Sequence, residues 1–270
     1  MKIDLQGRTA IVTGSTAGIG RAPAEGLARA GASVIVNGRT QSRVDEAVRQ
    51  MRAEFPEGVI SGIAADLSTA KGANAFIAET PAADILVNNV GTAFLRNYDG
   101  LKDIVAIPDR DWLGLFELNV MSGIRLSRHY LPRMVSKGWG RVVFVSSESA
   151  VNTPKEMLDY GMTKTAQLAV SRGLAEAVAG TGVTVNCVLP GPTRSEILGD
   201  YIAKQAEEAG ITLEEAEQGF LQALRPTTLI RRFATTDEVA NMIVYVCSEQ
   251  ASATSGAALR VDGGVVRFIA

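Results

Sequence analysis

Apolar positions along this chain fall into two alternating textures. Short runs at residues 9–13, 33–37, 59–64, 84–88, 141–146, 183–189 and 257–261 are apolar at nearly every position and rich in β-branched side chains, as strands buried on both faces must be. Between them lie longer stretches, among them 41–55, 109–135, 160–179 and 237–249, with the apolar spacing of amphipathic helices. Thr235 and Glu238 stand three apart at the head of the last one, which is the spacing of a capping box. Strands that alternate with helices need right-handed crossovers, and the result is a parallel sheet covered on both faces. The pattern therefore predicts an α/β fold, a doubly wound seven-stranded parallel sheet. No repeat or low-complexity linker breaks the series, so residues 1–270 are expected to form one domain.

One stretch, residues 193–233, does not alternate. Its apolar clusters, Ile197 with Leu198, Tyr201 with Ile202, and residues 220–224, sit among many charged positions and predict a helical insertion. It follows the sixth strand at the carboxyl end, where open α/β sheets bind ligands, so one reading is a lid over a substrate. The other is a structural excursion or a subunit contact.

Composition narrows the partners. Of 270 residues 21% are charged and the formal net charge is -2, leaving no basic excess to attract nucleic acid or an anionic membrane. There is no signal-type opening and no apolar run approaching the ~20 residues that span a bilayer, so a cytoplasmic chain is expected. Cys187 and Cys247 lie far apart in apolar contexts and read as buried, reduced thiols. His129 is the only histidine; it is expected on a helix surface, and neither a histidine-based triad nor a multi-histidine metal site can be built.

Directly after the first strand comes Thr13-Gly14-Ser15-Thr16-Ala17-Gly18-Ile19-Gly20, followed by a helical pattern. Glycines here permit a tight turn and close backbone approach to a pyrophosphate, which amides at the helix start then hold. The strand, turn and helix in this order make the fold Rossmann-like and Gly14, Ser15, Thr16, Gly18, Ile19 and Gly20 candidate cofactor contacts. Pro23 falls early in that helix, where its missing N–H costs a hydrogen bond, so Pro23→Ala is expected to raise stability without harming cofactor affinity. The second strand ends in Asn37-Gly38-Arg39, with no acid to bind the adenine ribose hydroxyls and a cation in reach of a 2'-phosphate. NADP(H) is favoured over NAD(H) on this basis, with Arg43 as a second candidate; the alternative is that Arg39 is a solvated residue at a strand end.

Ser147 closes the fifth strand, and Tyr160 and Lys164 stand four apart at the head of a helical pattern, on one face. A free tyrosine titrates near ~10, and a neighbouring ammonium is expected to lower that value and make the phenol a usable acid or base at neutral pH. Ser147 is then expected to hold the substrate oxygen beside Tyr160.

These residues resemble the short-chain dehydrogenase/reductase family in its compact single-domain form, and the resemblance covers essentially the whole chain. It runs through the glycine turn, Asp66 with Leu67, Asn88-Asn89-Val90-Gly91, Asn119, Ser147, Tyr160 and Lys164, Pro190-Gly191-Pro192-Thr193, and Val261-Asp262-Gly263-Gly264. Val90 departs from the family's usual alanine. The resemblance implies catalytic roles for Asn119, Ser147, Tyr160 and Lys164, with Asn119 anchoring a water that links Lys164 to solvent. It also implies cofactor contacts from Asp66 and Leu67 at the adenine, Asn89 and Gly91 in the cleft, Tyr160 and Lys164 at the ribose, and Pro190 and Thr193 at the carboxamide. A homotetramer or homodimer is implied too. Each residue has a plainer reading: Asp66 as a loop cap, Asn119 as a buried polar group of a helix, the asparagine pair as a turn.

The function expected is oxidoreduction between a small-molecule ketone or aldehyde and its alcohol, with Tyr160 as acid/base. Met157, Leu158, Ile197, Leu198 and Phe220 suggest an apolar pocket or simply core, and Glu148, next to Ser147, is expected to be exposed to solvent, the alternative being that it meets a polar or cationic substrate. A 3-oxoacyl-acyl-carrier-protein reductase is the alternative, weakened by neutral Gly180-Thr181-Gly182 where such reductases often carry arginine for an acidic carrier. A nucleotide-binding regulatory protein without chemistry is the alternative of another class.

Overall fold

The computed structural model describes residues 2–93 and 101–269, with the side chain of Ile197 outside the described set. The first half runs β1 (Thr9–Val12), α1 (Gly18–Arg29), β2 (Ser33–Gly38), α2 (Gln41–Glu54), β3 (Ile60–Ala64), α3 (Ala70–Glu79) and β4 (Ile85–Asn88). The second runs α4 (Leu101–Val105), α5 (Asp109–Phe116), a π-helical turn (Glu117–Met121), α6 (Ser122–Lys137), β5 (Gly140–Val145) and α7 (Leu158–Ala177). It ends with β6 (Val183–Pro190), α8 (Glu196–Ala209), α9 (Leu213–Leu224), α10 (Thr236–Val246) and β7 (Ala258–Val261). The strands form one sheet in the order β3-β2-β1-β4-β5-β6-β7, parallel throughout. Every predicted strand is present with its ends displaced by at most one residue.

Strand residues alternate between two cores even though nearly all are apolar. Val12, Val34, Val36 and Val143 meet Leu27 of α1, Met51 of α2 and Ile243 of α10 on one face. Ile11, Leu86, Val142 and Phe144 meet Phe76 of α3 and Leu126 and Tyr130 of α6 on the other. Cys187 and Cys247 are buried and free, as expected. His129 is half-buried on α6, its Nε2 3.2 Å from the Pro81 carbonyl oxygen. The capping box forms: Thr235 Oγ1 accepts from Glu238 N and Glu238 Oε2 accepts from Thr235 N. No described helix is long and apolar enough to cross a membrane.

Two departures from the pattern bear on the site. The single helix expected over 109–135 is divided by the π-helical turn, whose centre is Asn119. A lateral bond competes with the helical ladder there: Gln167 Nε2 of α7 donates to the Asn119 carbonyl at 2.6 Å, while the Asn119 side chain is held by Thr92 N at 2.9 Å from Oδ1. The insertion is helical as expected, but Leu198 and Phe220 pack on Ile202, Ala206, Ala216, Leu221 and Phe233, so they form the insertion's own core, not a substrate wall. Thr193 and Ala234 bridge at its base, with Arg194 N donating to Ala234 O and Ala234 N to Pro192 O, which fixes where the excursion leaves and rejoins the fold. The strand order reverses between β1 and β4, which opens a crevice at their carboxyl ends.

Candidate active site

The glycine turn occupies that crevice. Gly14 and Gly18 have φ of +60° and +57°, and a Cβ on Gly20 would stand 2.3 Å from the Gly14 carbonyl oxygen and 2.4 Å from Asn89 Nδ2. Asn89 Nδ2 donates to Thr13 O at 2.9 Å and Gly14 O at 3.1 Å, while Thr13 Oγ1 accepts from the amides of Asn89 and Val90. Asn37, buried at the end of β2, accepts from Gly14 N at 3.2 Å and donates to Ile63 O and Ala65 O, tying the ends of β1, β2 and β3 together. α1 opens on Ala17 with no side-chain cap and no acid in its first turn, so its leading amides suit an anion.

The remaining predicted contacts are unevenly placed. Ser15 turns inward: its amide donates to Asn37 O and its hydroxyl to Val12 O, so it serves the turn itself. Leu67 is a buried core residue, packed in the same apolar cluster as Phe76 and Leu126. Asp66 is exposed, and its Oδ1 accepts from Ser68 N and Oγ, the loop-capping arrangement. Arg39 and Arg43 are exposed beyond β2. Ile19 is partly buried against the core, and the Thr16 methyl lies 2.6 Å from where a Cβ on Gly38 would be. Pro190 ends β6, and Thr193 Oγ1 donates to Gly191 O at 2.9 Å. Met157 and Leu158 stand half-buried at the head of α7. A cavity of about 300 Å³ lies between the glycine turn at Thr16 and Gly18 and the start of the excursion at Arg194 and Ser195.

Ser147 follows β5, and Tyr160 and Lys164 lie on the first turns of α7, anchored by Ser146 Oγ donating to the Lys164 carbonyl at 2.9 Å. Lys164 Nζ donates to Val145 O at 2.8 Å and lies 5.4 Å from the Tyr160 ring centroid. Asn119 Nδ2 donates to Thr163 Oγ1 and Thr92 O. Gly91 leaves room for both groups: a Cβ there would stand 3.2 Å from Asn119 Oδ1 and 3.3 Å from Lys164 Nζ. Asn119, Tyr160, Lys164, Ser147 and Gly91 are thus neighbours at the carboxyl ends of β4 and β5.

Electrostatics here differ from the sequence expectation in two ways. The phenol of Tyr160 is pushed upward, first by burial and then by the Glu148 charge, against the opposing influence of the neighbouring Ser147 hydroxyl and the Arg225 cation. Burial lowers Lys164 to about 8. Burial outweighs the expected ammonium effect on the phenol, because it disfavours both charged forms and the amine is turned to a backbone carbonyl. Glu148 is not exposed: it is 4% accessible, its Oε1 accepts from Arg225 Nε at 2.6 Å, and its Oε2 accepts from Ser147 Oγ at 2.6 Å. Arg225, 77 positions away at the end of α9, escaped the sequence reading, as did Asn37, Thr92, Thr163 and Gln167. Only the Ser147-Glu148 adjacency was a local signal for any of them.

The chain matches the family model for Enoyl-(Acyl carrier protein) reductase over residues 14–266. It belongs to the short-chain dehydrogenase/reductase family. The chain is 44% identical to YvaG, an uncharacterized oxidoreductase of Bacillus subtilis (strain 168), over 100% of both chains. It is 30% identical to the 3-oxoacyl-(acyl-carrier-protein) reductase FabG of Aquifex aeolicus, over 98% of this chain and 100% of that one. In structure it is similar to L-sorbose reductase from Gluconobacter frateurii, solved with NADPH and L-sorbose, with a TM-score of 0.92, 32% identity and full coverage of both chains. The chain is an oxidoreductase of this family, and its seven-stranded parallel sheet is the family's Rossmann fold.

Proposed function

We propose that the protein is an NADP(H)-dependent carbonyl reductase and alcohol dehydrogenase in which Tyr160 moves the proton. The observation that carries this reading is that Ser147, Tyr160, Lys164 and Asn119 lie together at the carboxyl ends of β4 and β5, with Asn119 and Lys164 against Gly91, next to a glycine turn that a single Cβ would block. The residues present fit a dinucleotide: positive-φ glycines, an uncapped helix start without acids, and an exposed Arg39 where no acid stands. Gly14, Thr16, Gly18, Ile19 and Gly20 would hold the pyrophosphate, Arg39 the 2'-phosphate, Asp66 and the backbone of Leu67 the adenine, and Asn89 and Gly91 the cleft side. Lys164 would meet the ribose, with Pro190 and Thr193 near the carboxamide; the similar sorbose reductase, solved with NADPH, is in line with this. When bound, the nicotinamide supplies a hydride to the carbonyl carbon, or accepts one from the alcohol.

Ser147 orients the carbonyl oxygen, and Tyr160 donates its phenolic proton to that oxygen as negative charge develops on it. The upward push on Tyr160 keeps that proton in place at neutral pH, which suits the reductive direction. Lys164 and Asn119 return a proton to Tyr160 from solvent, and the excursion over residues 193–233 excludes water from the reacting groups. Substrates are small ketones, ketoses or their alcohols, in a cytoplasmic protein acting as a homotetramer or homodimer. The test is titration with NADPH and NADH, then a panel of aliphatic ketones, L-sorbose and acetoacetyl-carrier thioester. Tyr160→Phe is expected to abolish turnover with NADPH affinity nearly unchanged; substantial residual turnover would defeat the assignment. Activity confined to the thioester would favour the carrier-protein reductase instead.

A further inference from the structure

The charge pair beside Ser147 has no part in the mechanism above, yet it is buried and spans two separate parts of the fold. Glu148 opens the short 3-10 turn (Glu148–Ala150) after β5, whereas Arg225 ends α9 of the excursion. The two are 4% and 8% accessible. Arg225 is itself fixed: its Nη1 donates to Leu224 O at 2.8 Å, its backbone N to Leu221 O, and its carbonyl accepts from Thr228 N. Ser147 Oγ receives a bond as well as giving one, since Ser149 N donates to it at 3.1 Å.

We propose that Glu148 and Arg225 are positioning residues for Ser147, the carboxylate holding the serine hydroxyl in one rotamer while the guanidinium holds the carboxylate and latches the excursion to the end of β5. A serine hydroxyl has three staggered positions for its oxygen and a free rotor for its proton. In the ligand-free protein a charge-assisted bond to Glu148 Oε2 selects one of each, and when substrate binds the proton turns to the carbonyl oxygen while the Ser149 amide keeps the serine oxygen in place. A buried carboxylate is retained only if its charge is met, and Arg225 meets it from the excursion. Seating of the excursion and orientation of Ser147 therefore rise and fall together. The same carboxylate acts on Tyr160, which also faces Arg225 and, on its own helix, Lys164 and the adjacent Asp159. Removing the Glu148 charge relieves part of the upward push on the phenol.

The catalytic consequence rests on the proposed function, but the latch is read without it. Amide hydrogen exchange is compared in ligand-free wild type, Glu148→Gln, Glu148→Ala, Arg225→Lys and Arg225→Ala. In both alanine variants exchange is expected to rise about tenfold over α9 and at the Ser149 amide, which loses its Ser147 acceptor, with α1 and α10 unchanged. Arg225→Lys recovers part of the protection, and NADPH affinity stays within about twofold in all four. In alcohol oxidation kcat falls about tenfold in Arg225→Ala with a smaller change in KM, and Glu148→Gln moves the acidic limb of the rate to lower pH. Unchanged exchange at both α9 and Ser149 overturns the latch. Altered exchange with unchanged kcat overturns the positioning role. A wild-type protein that turns over no substrate defeats the proposed function while the exchange data still decide the latch.

Discussion

Gly20→Ala tests how tightly the glycine turn is closed. The added methyl would stand 2.3 Å from the Gly14 carbonyl oxygen and 2.4 Å from Asn89 Nδ2, where ordinary contact begins at 3.4 Å. Neither neighbour is the free end of a flexible side chain: one is backbone, and the other is held by bonds of 2.9 and 3.1 Å to Thr13 O and Gly14 O. The turn must therefore open by about 1 Å, and both Asn89 bonds break. At about 1 kcal/mol each, that is roughly 2 kcal/mol of stability, or a fall of about 4–8 °C in Tm for a chain of this size. Displaced amides at the head of α1 are expected to weaken NADPH binding at least about tenfold. Thermal unfolding and fluorescence titration with NADPH read the two effects separately. Gly173→Ala is the control: it lies inside α7 with nothing within 4 Å of the new methyl, and is expected to add about 0.5–1 kcal/mol with no change in affinity. Wild-type Tm together with wild-type affinity in Gly20→Ala would mean that the turn is not closed by these contacts.

Two further outcomes follow from helix hydrogen bonding, one inside α1 and one at the head of α10. Pro23 is buried inside α1, where it deprives the Ile19 carbonyl of its helical donor. Restoring that bond and relieving the ring is worth up to about 3 kcal/mol, against about 1.6 for two lost buried methylenes and about 1 for a looser unfolded chain, so Pro23→Ala should raise Tm slightly. A lower Tm counts against this balance. Glu238 is held down to about 2 by its bond to Arg232 and the Thr235 amide. Its folded value lies below the ordinary 4.5, so its contribution is complete above that pH and is lost as pH falls through about 2. Urea midpoints of wild type and Glu238→Gln should therefore differ at pH 7 and draw together as the pH falls below 4.5; a constant difference would exclude the linkage.

Much of this protein was legible in the chain because the signals were local. A strand buried on both faces has no polar position to offer, so 9–13 and 183–189 read as strands without ambiguity, and their ends fell within a residue. Thr235 and Glu238 announced a cap, and Tyr160 and Lys164 a shared helical face, from spacing alone. Other features depend on residues that meet only after folding. At the π-helical turn Gln167 competes for the Asn119 carbonyl and Thr92 holds its side chain, both from other segments, and no three- or four-residue period records that. Lys164 turned to the Val145 carbonyl, and burial outweighed its charge as an influence on Tyr160. The polarity of Glu148 predicted solvent, and a cation 77 residues later reversed it. Residue order alone was enough for the sheet, the glycine turn and the helical face bearing Tyr160 and Lys164, because periodicity and backbone sterics act over a few residues. Which charges face one another around Ser147 was settled only when the chain had folded, because burial and pairing are properties of the assembled core.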